Sequence, residues 1–250
     1  MLHRLWIAPT ALLLVMVMLT QSYAITAPAT VTGGIGGCTS SMVNADANAV
    51  IFIFPDTASS PKPSGVMGAA FSDWTAIGIL IGMALNTQYE TFDTNTGTPV
   101  FINTGTGQPD PSGQPKMVTT GGPLVHSVVY WLEQTDALTP VFYSEDTTTQ
   151  YFKLRADDTI LANQLKSTAV TSEDRFVIYC VHDLAGNSYC VFYGFRWSGT
   201  LAAAHWILYQ KQLGNLPSLT NSYSVIKWVD DGDGVVESPA ADLYQVLASG

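Results

Sequence analysis

Basic side chains are scarce in this sequence of 250 residues. Lysine and arginine together number 10 against 20 aspartates and glutamates, which gives a formal net charge of −10 at pH 7. Charged residues make up only 12% of the chain, so uncharged polar residues carry most of its polarity. A protein with this balance does not attract nucleic acid or anionic lipid through its overall charge. Divalent cations are the charged partners that it favours instead.

Sequence motifs of known catalytic chemistry are also missing. The chain has no G-x-S-x-G, H-E-x-x-H or C-x-x-C pattern, the local signatures of common hydrolase, metalloprotease and thiol chemistry. After the first 24 residues, histidine occurs only as His126, His182 and His205. His126 and His205 lie in apolar helical stretches, where a histidine by default packs in a core or an interface. We therefore predict no catalytic residues and no small-molecule substrate.

Cysteine occurs only three times, as Cys38, Cys180 and Cys190, so the three cannot all pair within one chain. Residues 183–187 (DLAGN) form a strong turn signal. A three-residue loop there would place Cys180 opposite Cys190 at a non-hydrogen-bonded position, where Cβ atoms are close. A disulfide between them is feasible in an oxidising compartment, and two separate buried thiols are the alternative. Cys38 would then stay a thiol or form an intermolecular disulfide.

The most apolar stretch of the sequence is residues 5–19, which follow a weakly basic start. Ser22 and Ala24 then supply small residues at both positions that a signal peptidase reads, in the charged–apolar–small order of a secretory signal. Pro9 interrupts the apolar run, which is shorter than the roughly 20 residues of a spanning helix. We predict a signal peptide over residues 1–24 and export from the cell. An uncleaved membrane anchor is the alternative.

The rest of the chain is predicted to form an N-terminal arm and one domain. Residues 25–48 are rich in threonine, proline and glycine, which favours an extended, flexible arm, and the glycine-rich stretch 33–37 precedes no helix signal. Residues 49–250 are predicted to form a single α/β domain with an acidic loop near its end. The arm residues expected to pair with a neighbouring chain are Ile25, Thr26, Ala27 and Val31.

The order of predicted elements indicates a mixed β-sheet with helices packed on it, plus a β-hairpin. Strands are predicted at 49–54, 99–103, 116–120, 141–144, 151–155, 168–171, 176–182, 188–195 and 222–229, and helices at 69–85, 124–133 and 198–213. The helix at 69–85 is apolar nearly all round, which favours deep burial, with a membrane span as the alternative. The adjacent acids at 157–158 and 173–174 are predicted to be solvated caps.

Two glycine-containing turns, at 121–123 (GGP) and 198–200 (SGT), precede predicted helices. Free backbone N–H groups at such turns can hold an anion. Neither turn contains lysine or matches a phosphate-binding fingerprint. Close packing of a helix against a strand is therefore the favoured interpretation of both.

The strongest local signal for a ligand is the acidic segment DDGDGVVE at 230–237. Carboxylates that alternate with glycine in a tight loop suit a hard cation such as Ca²⁺. Two anchoring positions of the EF-hand pattern carry no carboxylate here, so an acidic, solvated turn is the alternative. The candidate calcium ligands are Asp230, Asp231, Asp233, Glu237 and Asp242.

Three segments, in this order, resemble the domain of archaeal S-layer proteins of the thermococcal and methanogen type. The segments are 50–85 (VIFIFPDTASSPKPSGVMGAAFSDWTAIGILIGMAL), 117–132 (MVTTGGPLVHSVVYWL) and 173–207 (EDRFVIYCVHDLAGNSYCVFYGFRWSGTLAAAHWI). In the last segment, the G-T-x-A-A pattern at 199–203 carries the match. The chain differs from that family in its small size, in His126 where an asparagine is usual, and in having no N-x-[ST] glycosylation site.

The resemblance implies a secreted, non-enzymatic structural protein of the cell envelope. Such an S-layer-like subunit would assemble by contacts with itself or with other cell-surface proteins, with calcium as a stabilising ion. One alternative is an extracellular filament or pilus subunit that polymerises by exchange of its N-terminal strand. The other is a secreted enzyme of a type that the sequence does not reveal.

Overall fold

The structure is a computed structural model that describes residues 34–43, 50–58, 62–84, 88–98, 100–111, 116–169 and 172–250. The predicted signal peptide, 1–24, lies outside the described residues. So do the four arm residues Ile25, Thr26, Ala27 and Val31.

A seven-stranded mixed sheet forms the centre of the molecule. Its strands are β1 (Val50–Phe54), β2 (Gln88–Phe92), β5 (Lys116–Thr120), β9 (Glu173–His182), β10 (Ser188–Gly194), β11 (Tyr223–Val229) and β12 (Leu243–Ser249). Their order is β12-β11-β9-β10-β5-β1-β2. The strands β10, β5, β1 and β2 are parallel neighbours, whereas β10, β9, β11 and β12 pair antiparallel. The predicted α/β class, with a mixed sheet and a hairpin, is confirmed.

Two smaller antiparallel sheets complete the β-structure of the described residues. One pairs β3 (Val100–Ile102) with β4 (Pro109–Pro111), and the other joins β6 (Val141–Glu145), β7 (Thr149–Leu154) and β8 (Ile160–Leu165). The strand β8 was not predicted. Residues 168–169 lie in a turn after β8 and not in the strand predicted at 168–171, whose last two residues are outside the described ranges.

The helices flank the central sheet. They are α1 (Gly34–Val43), α2 (Phe71–Ile81), α3 (Ser127–Tyr130), which continues as a π-turn (Trp131–Thr135), α4 (Trp197–Gln212) and a 3₁₀ turn (Leu216–Ser218). The predictions of α2 and α4 are confirmed with shifts at the ends. The helix predicted from 124 begins later, because the Nδ1 atom of His126 accepts a hydrogen bond from Val128 N at 3.1 Å and caps α3. None of the helices in the described ranges has the length and apolar character that crossing a bilayer requires.

The prediction of a flexible arm over 25–48 is wrong for residues 34–43, which form α1. Backbone hydrogen bonds tie this helix to the chain after α4, from Ile35 N to Asn221 O (2.8 Å) and from Gly36 N to Leu219 O (2.6 Å). A Cβ atom on Gly36 would lie 2.3 Å from Leu216 O. The glycines therefore permit close approach of two backbones rather than flexibility.

Alternate residues of each strand feed two cores, one on each face of the sheet. Phe52, Val118 and Phe176 face α1, α2 and α4. Ile53 and Tyr179 face α3 and the sheet β6-β7-β8. The central sheet is therefore buried on both faces, which explains the near-continuous apolar runs of β1, β9 and β10.

Candidate functional site

A cavity of about 220 Å³ opens where β5 and β10 end and α2 and α4 begin. The carboxyl ends of parallel strands are the usual location of ligand sites in α/β folds. Its polar wall includes Asp73, Arg196 and Thr200. Burial raises the pKa of Asp73 to about 6, although its carboxylate accepts a hydrogen bond from Ala70 N at 3.1 Å. The carboxylate thus occupies the N-terminus of α2 and faces the cavity with partial negative charge.

The N-terminus of α4 is also occupied, by the buried carboxylate of Asp174 from β9. Its Oδ2 atom accepts hydrogen bonds from Gly199 N (2.7 Å), Arg196 N (3.1 Å) and Ser198 Oγ (3.1 Å). The guanidinium of Arg196 is turned away to backbone carbonyls that include Leu165 O at 3.0 Å. An anion would find the donors of both helix termini already bonded to carboxylates. The prediction that Asp174 is a solvated cap is therefore wrong, since it caps a distant helix from the interior.

Close packing accounts for the two glycine-containing turns. A Cβ atom on Gly199 would lie 2.9 Å from the Cα atom of Gly194 and 2.7 Å from Asp174 Oδ2. A Cβ atom on Gly122 would lie 2.8 Å from the ring of Tyr193. These distances are too short for any side chain without movement of a neighbour, which supports the packing interpretation.

Glu133 is a buried carboxylate that sequence reasoning missed. It lies in the π-turn after α3, and its Oε1 atom accepts hydrogen bonds from the hydroxyls of Tyr179 (2.9 Å) and Tyr193 (2.5 Å). Its Oε2 atom accepts one from Tyr143 N at 2.9 Å. Burial raises the pKa of Glu133 to about 7 despite these donors. The available signal was a single acid inside the apolar helical run at 124–133.

A second cluster of buried polar side chains lies near the ends of β1, β2 and β5. Lys62 Nζ lies 3.1 Å from Asp93 Oδ2, and both side chains are fully buried. Asp93 also accepts hydrogen bonds from Ser127 N and Asp56 N, each at 2.7 Å. The ring of His126 contacts the hydroxyl of Thr119, and burial lowers its pKa to about 4. This cluster therefore connects the loops at the ends of β1, β2 and β5 around the neutral ring of His126.

The predicted absence of catalytic residues stays a prediction. His182 Nδ1 lies 3.0 Å from Ser188 Oγ across the hairpin. The nearest acid in sequence, Asp183, bonds instead to Asn187 and to the hydroxyl of Tyr189. His126 and His205 belong to other parts of the fold. The cavity at the ends of β5 and β10 is lined by neither a histidine nor a serine.

The structure brings together three of the five predicted calcium ligands. Carboxylate oxygens of Asp230, Asp231 and Asp233 lie within 4.8 Å of one another. Asp242 does not join them, because its Oδ2 atom accepts hydrogen bonds from Trp228 Nε1 (2.8 Å) and Glu237 N (2.7 Å). Asp242 therefore stabilises the loop through hydrogen bonds from a buried position. These contacts do not support the prediction that Asp242 is a direct calcium ligand.

The predicted register of the hairpin is confirmed, with Cys180 opposite Cys190. The predicted disulfide is not present in the structure, where both residues are buried thiols. Cys38, carried by α1, adds a third sulfur, and the three Sγ atoms lie within 4.8 Å of one another. The pair predicted from the hairpin is thus a cluster of three.

The strand β12 lies at one edge of the central sheet. In the part of the chain that the structure describes, β12 pairs only with β11. Its sequence, LYQVLAS, contains no charged residue and no proline. Leu243 and Val246 are 61% and 55% exposed, and Leu247 is also exposed. Comparisons with family models, curated proteins and solved structures found no match to this chain.

Proposed function

We propose that this protein is an exported, non-enzymatic subunit of a cell-surface layer, and that it assembles through the edge strand β12. The observation that carries the proposal is a strand that, among the described residues, pairs on one side only and also carries exposed apolar side chains. Its partners are further copies of this chain or other cell-surface proteins. The resemblance of the three segments to archaeal S-layer proteins agrees with such a role.

The physical argument concerns what natural sheets do with their edges. An exposed edge strand offers unpaired N–H and C=O groups to any other strand, and proteins usually protect it with charge, proline or a bulge. The strand β12 has a register shift opposite Val225 and Ile226, but neither charge nor proline. Pairing of β12 with β12 of a second copy would satisfy these groups and bury Val246 and Leu247 of both chains.

Calcium is a further part of the proposal, at Asp230, Asp231 and Asp233. Desolvation and the nearby charges of Asp233 and Asp242 raise the pKa of Glu237. A divalent cation would offset this repulsion and stiffen the loop that leads into β12. Assembly should then be stronger with calcium than with a chelator.

The test is the state of association of the purified protein, measured by sedimentation velocity and electron microscopy with calcium and with chelator. We expect the wild type to form at least dimers, because pairing of two β12 strands uses the same surface on both chains and closes as a dimer, and we expect sheets or filaments where other surfaces of these dimers also meet. Val246→Lys should prevent them, because a charge would be buried at the new interface. Leu184→Lys is the matched control, since Leu184 is an exposed leucine in the turn of the β9–β10 hairpin. A wild-type protein that stays monomeric at high concentration under both conditions would contradict the proposal.

The filament alternative has one observation in its favour. Gly34, the first described residue of the predicted arm 25–48, lies against the carbonyls of Thr220 and Asn221, and the neighbouring Ser222 N donates a hydrogen bond to Gly250 O at 2.6 Å. Gly34 is therefore close to the end of β12, the strand that an exchanged arm would have to reach. Deletion of residues 25–31 separates the two models: it should abolish assembly by strand exchange and leave assembly through paired β12 strands intact.

A further inference from the structure

Three cysteines from three different elements meet inside the protein. Cys38 comes from α1, Cys180 from β9 and Cys190 from β10, and their Sγ atoms lie within 4.8 Å of one another. All three residues are at least 96% buried, as their exposed fractions are 4%, 1% and 1%. Only the fold creates this cluster, because α1 is separated from the hairpin by more than half of the chain.

The donor set of the cluster is purely sulfur. In the residues that the structure describes, no histidine, aspartate or glutamate places a ligand atom within 4.8 Å of all three sulfurs. The surrounding side chains belong to the apolar core between the sheet and α1, α2 and α4. Thiolates are soft ligands, and they select soft ions such as Cu(I) and zinc over Ca²⁺ or Mg²⁺.

A soft cation bound between the three sulfurs would replace thiol protons, which are released on binding.

We propose that Cys38, Cys180 and Cys190 bind a single Cu(I) ion through three sulfur atoms. Cu(I) is chosen over zinc because structural zinc sites are closed by four protein ligands, whereas this buried site offers three. The inference rests on the cluster alone and does not depend on the proposed assembly. A bound Cu(I) ion would link α1 to the β9–β10 hairpin, in addition to the apolar packing between them.

The test titrates the full, reduced protein with Cu(I) under nitrogen against a coloured Cu(I) chelator. We expect one Cu(I) per chain. Each of Cys38→Ala, Cys180→Ala and Cys190→Ala should weaken binding at least about tenfold, a loss that changes in the outer shell of metal sites already produce. Met117→Leu is the matched control, since it removes a fully buried sulfur from the opposite face of the sheet.

X-ray absorption of the copper-loaded wild type gives a second measurement that needs no variant. Three sulfur neighbours around copper are expected, and two would overturn the proposal. Cu(I) affinity of Cys38→Ala equal to that of the wild type would also overturn the proposal, as would tighter binding of Zn(II) than of Cu(I). A third contradicting result would be a Cys180–Cys190 disulfide in protein isolated from the exporting cell. That last result would restore the pairing that the hairpin register alone suggests.

Discussion

At the scale of single residues, Asp174 shows how a buried charge is held where backbone donors converge. It lies near the start of β9, yet its carboxylate bonds to the first turn of α4. Burial raises its pKa to about 6, and hydrogen bonds from Gly199 N, Arg175 N, Ser198 and Arg196 N act in the opposite direction. A negative charge at a helix N-terminus also interacts favourably with the helix dipole. One side chain thus fixes α4 against the sheet.

We expect Asp174→Ala to lower the free energy of unfolding by about 3 kcal/mol, because it leaves buried donors without an acceptor. Urea denaturation followed by circular dichroism measures this change. Asp157→Ala is the control, since Asp157 is exposed and its carboxylate caps only a local turn at Thr159 N. Equal losses for the two variants would contradict the role assigned to Asp174.

At the scale of elements, the position of α1 depends more on close contact between backbones than on the packing of its side chains. Gly34 and Gly36 face the carbonyls of residues 216–221, and Ile35 is buried in the core beneath them. A helix with three glycines in its first four residues has low intrinsic stability. Its position therefore comes from the groove that the 3₁₀ turn and the following residues 219–221 provide.

Gly36→Ala should destabilise the protein by about 2 kcal/mol, since its Cβ atom would overlap Leu216 O. Gly78→Ala should have the opposite sign and stabilise by up to about 1 kcal/mol, because Gly78 is exposed within α2 and nothing lies within 4 Å of its Cβ position. Thermal unfolding of both variants checks the pair. A neutral Gly36→Ala would mean that α1 is not closely packed.

At the scale of the whole molecule, three buried acids make stability depend on pH. Burial raises the pKa values of Asp73 and Asp174 from 3.8 to about 6, and that of Glu133 from 4.5 to about 7. In this range the folded state binds more protons than the unfolded state, so these groups lower stability as pH rises from about 4 to 7. His126 acts in the opposite sense, because burial lowers its pKa to about 4.

Glu133→Gln isolates the largest of these contributions. Between pH 4.5 and 7 the wild type should lose roughly 3 kcal/mol of stability relative to the variant, since each pKa unit corresponds to about 1.4 kcal/mol. Chemical denaturation at a series of pH values measures the difference. Glu90→Gln, at an exposed position of β2, is the control. A parallel curve for Glu133→Gln would show that Glu133 does not change its protonation in this range.

Local patterns in the sequence were sufficient for much of the architecture. Apolar runs and turn residues predicted β1, β5, α2, α4 and the mixed sheet. The turn DLAGN was enough to place Cys180 opposite Cys190. These features depend on residues close together in the chain, where hydrogen-bond geometry and side-chain period leave few alternatives.

Only the tertiary structure decided the features that join distant segments. Residues 34–43 form a helix because a groove more than 170 residues away accepts them, and Cys38 thereby reaches the hairpin. Asp174 and Glu133 are acceptable inside the protein because donors from other elements surround them. Such contacts leave no periodic signal, since each partner alone looks like an ordinary glycine, cysteine or acid. The charge balance and the predicted export are properties of the sequence, whereas the sulfur cluster and the position of β12 at the edge of the sheet exist only in the folded chain.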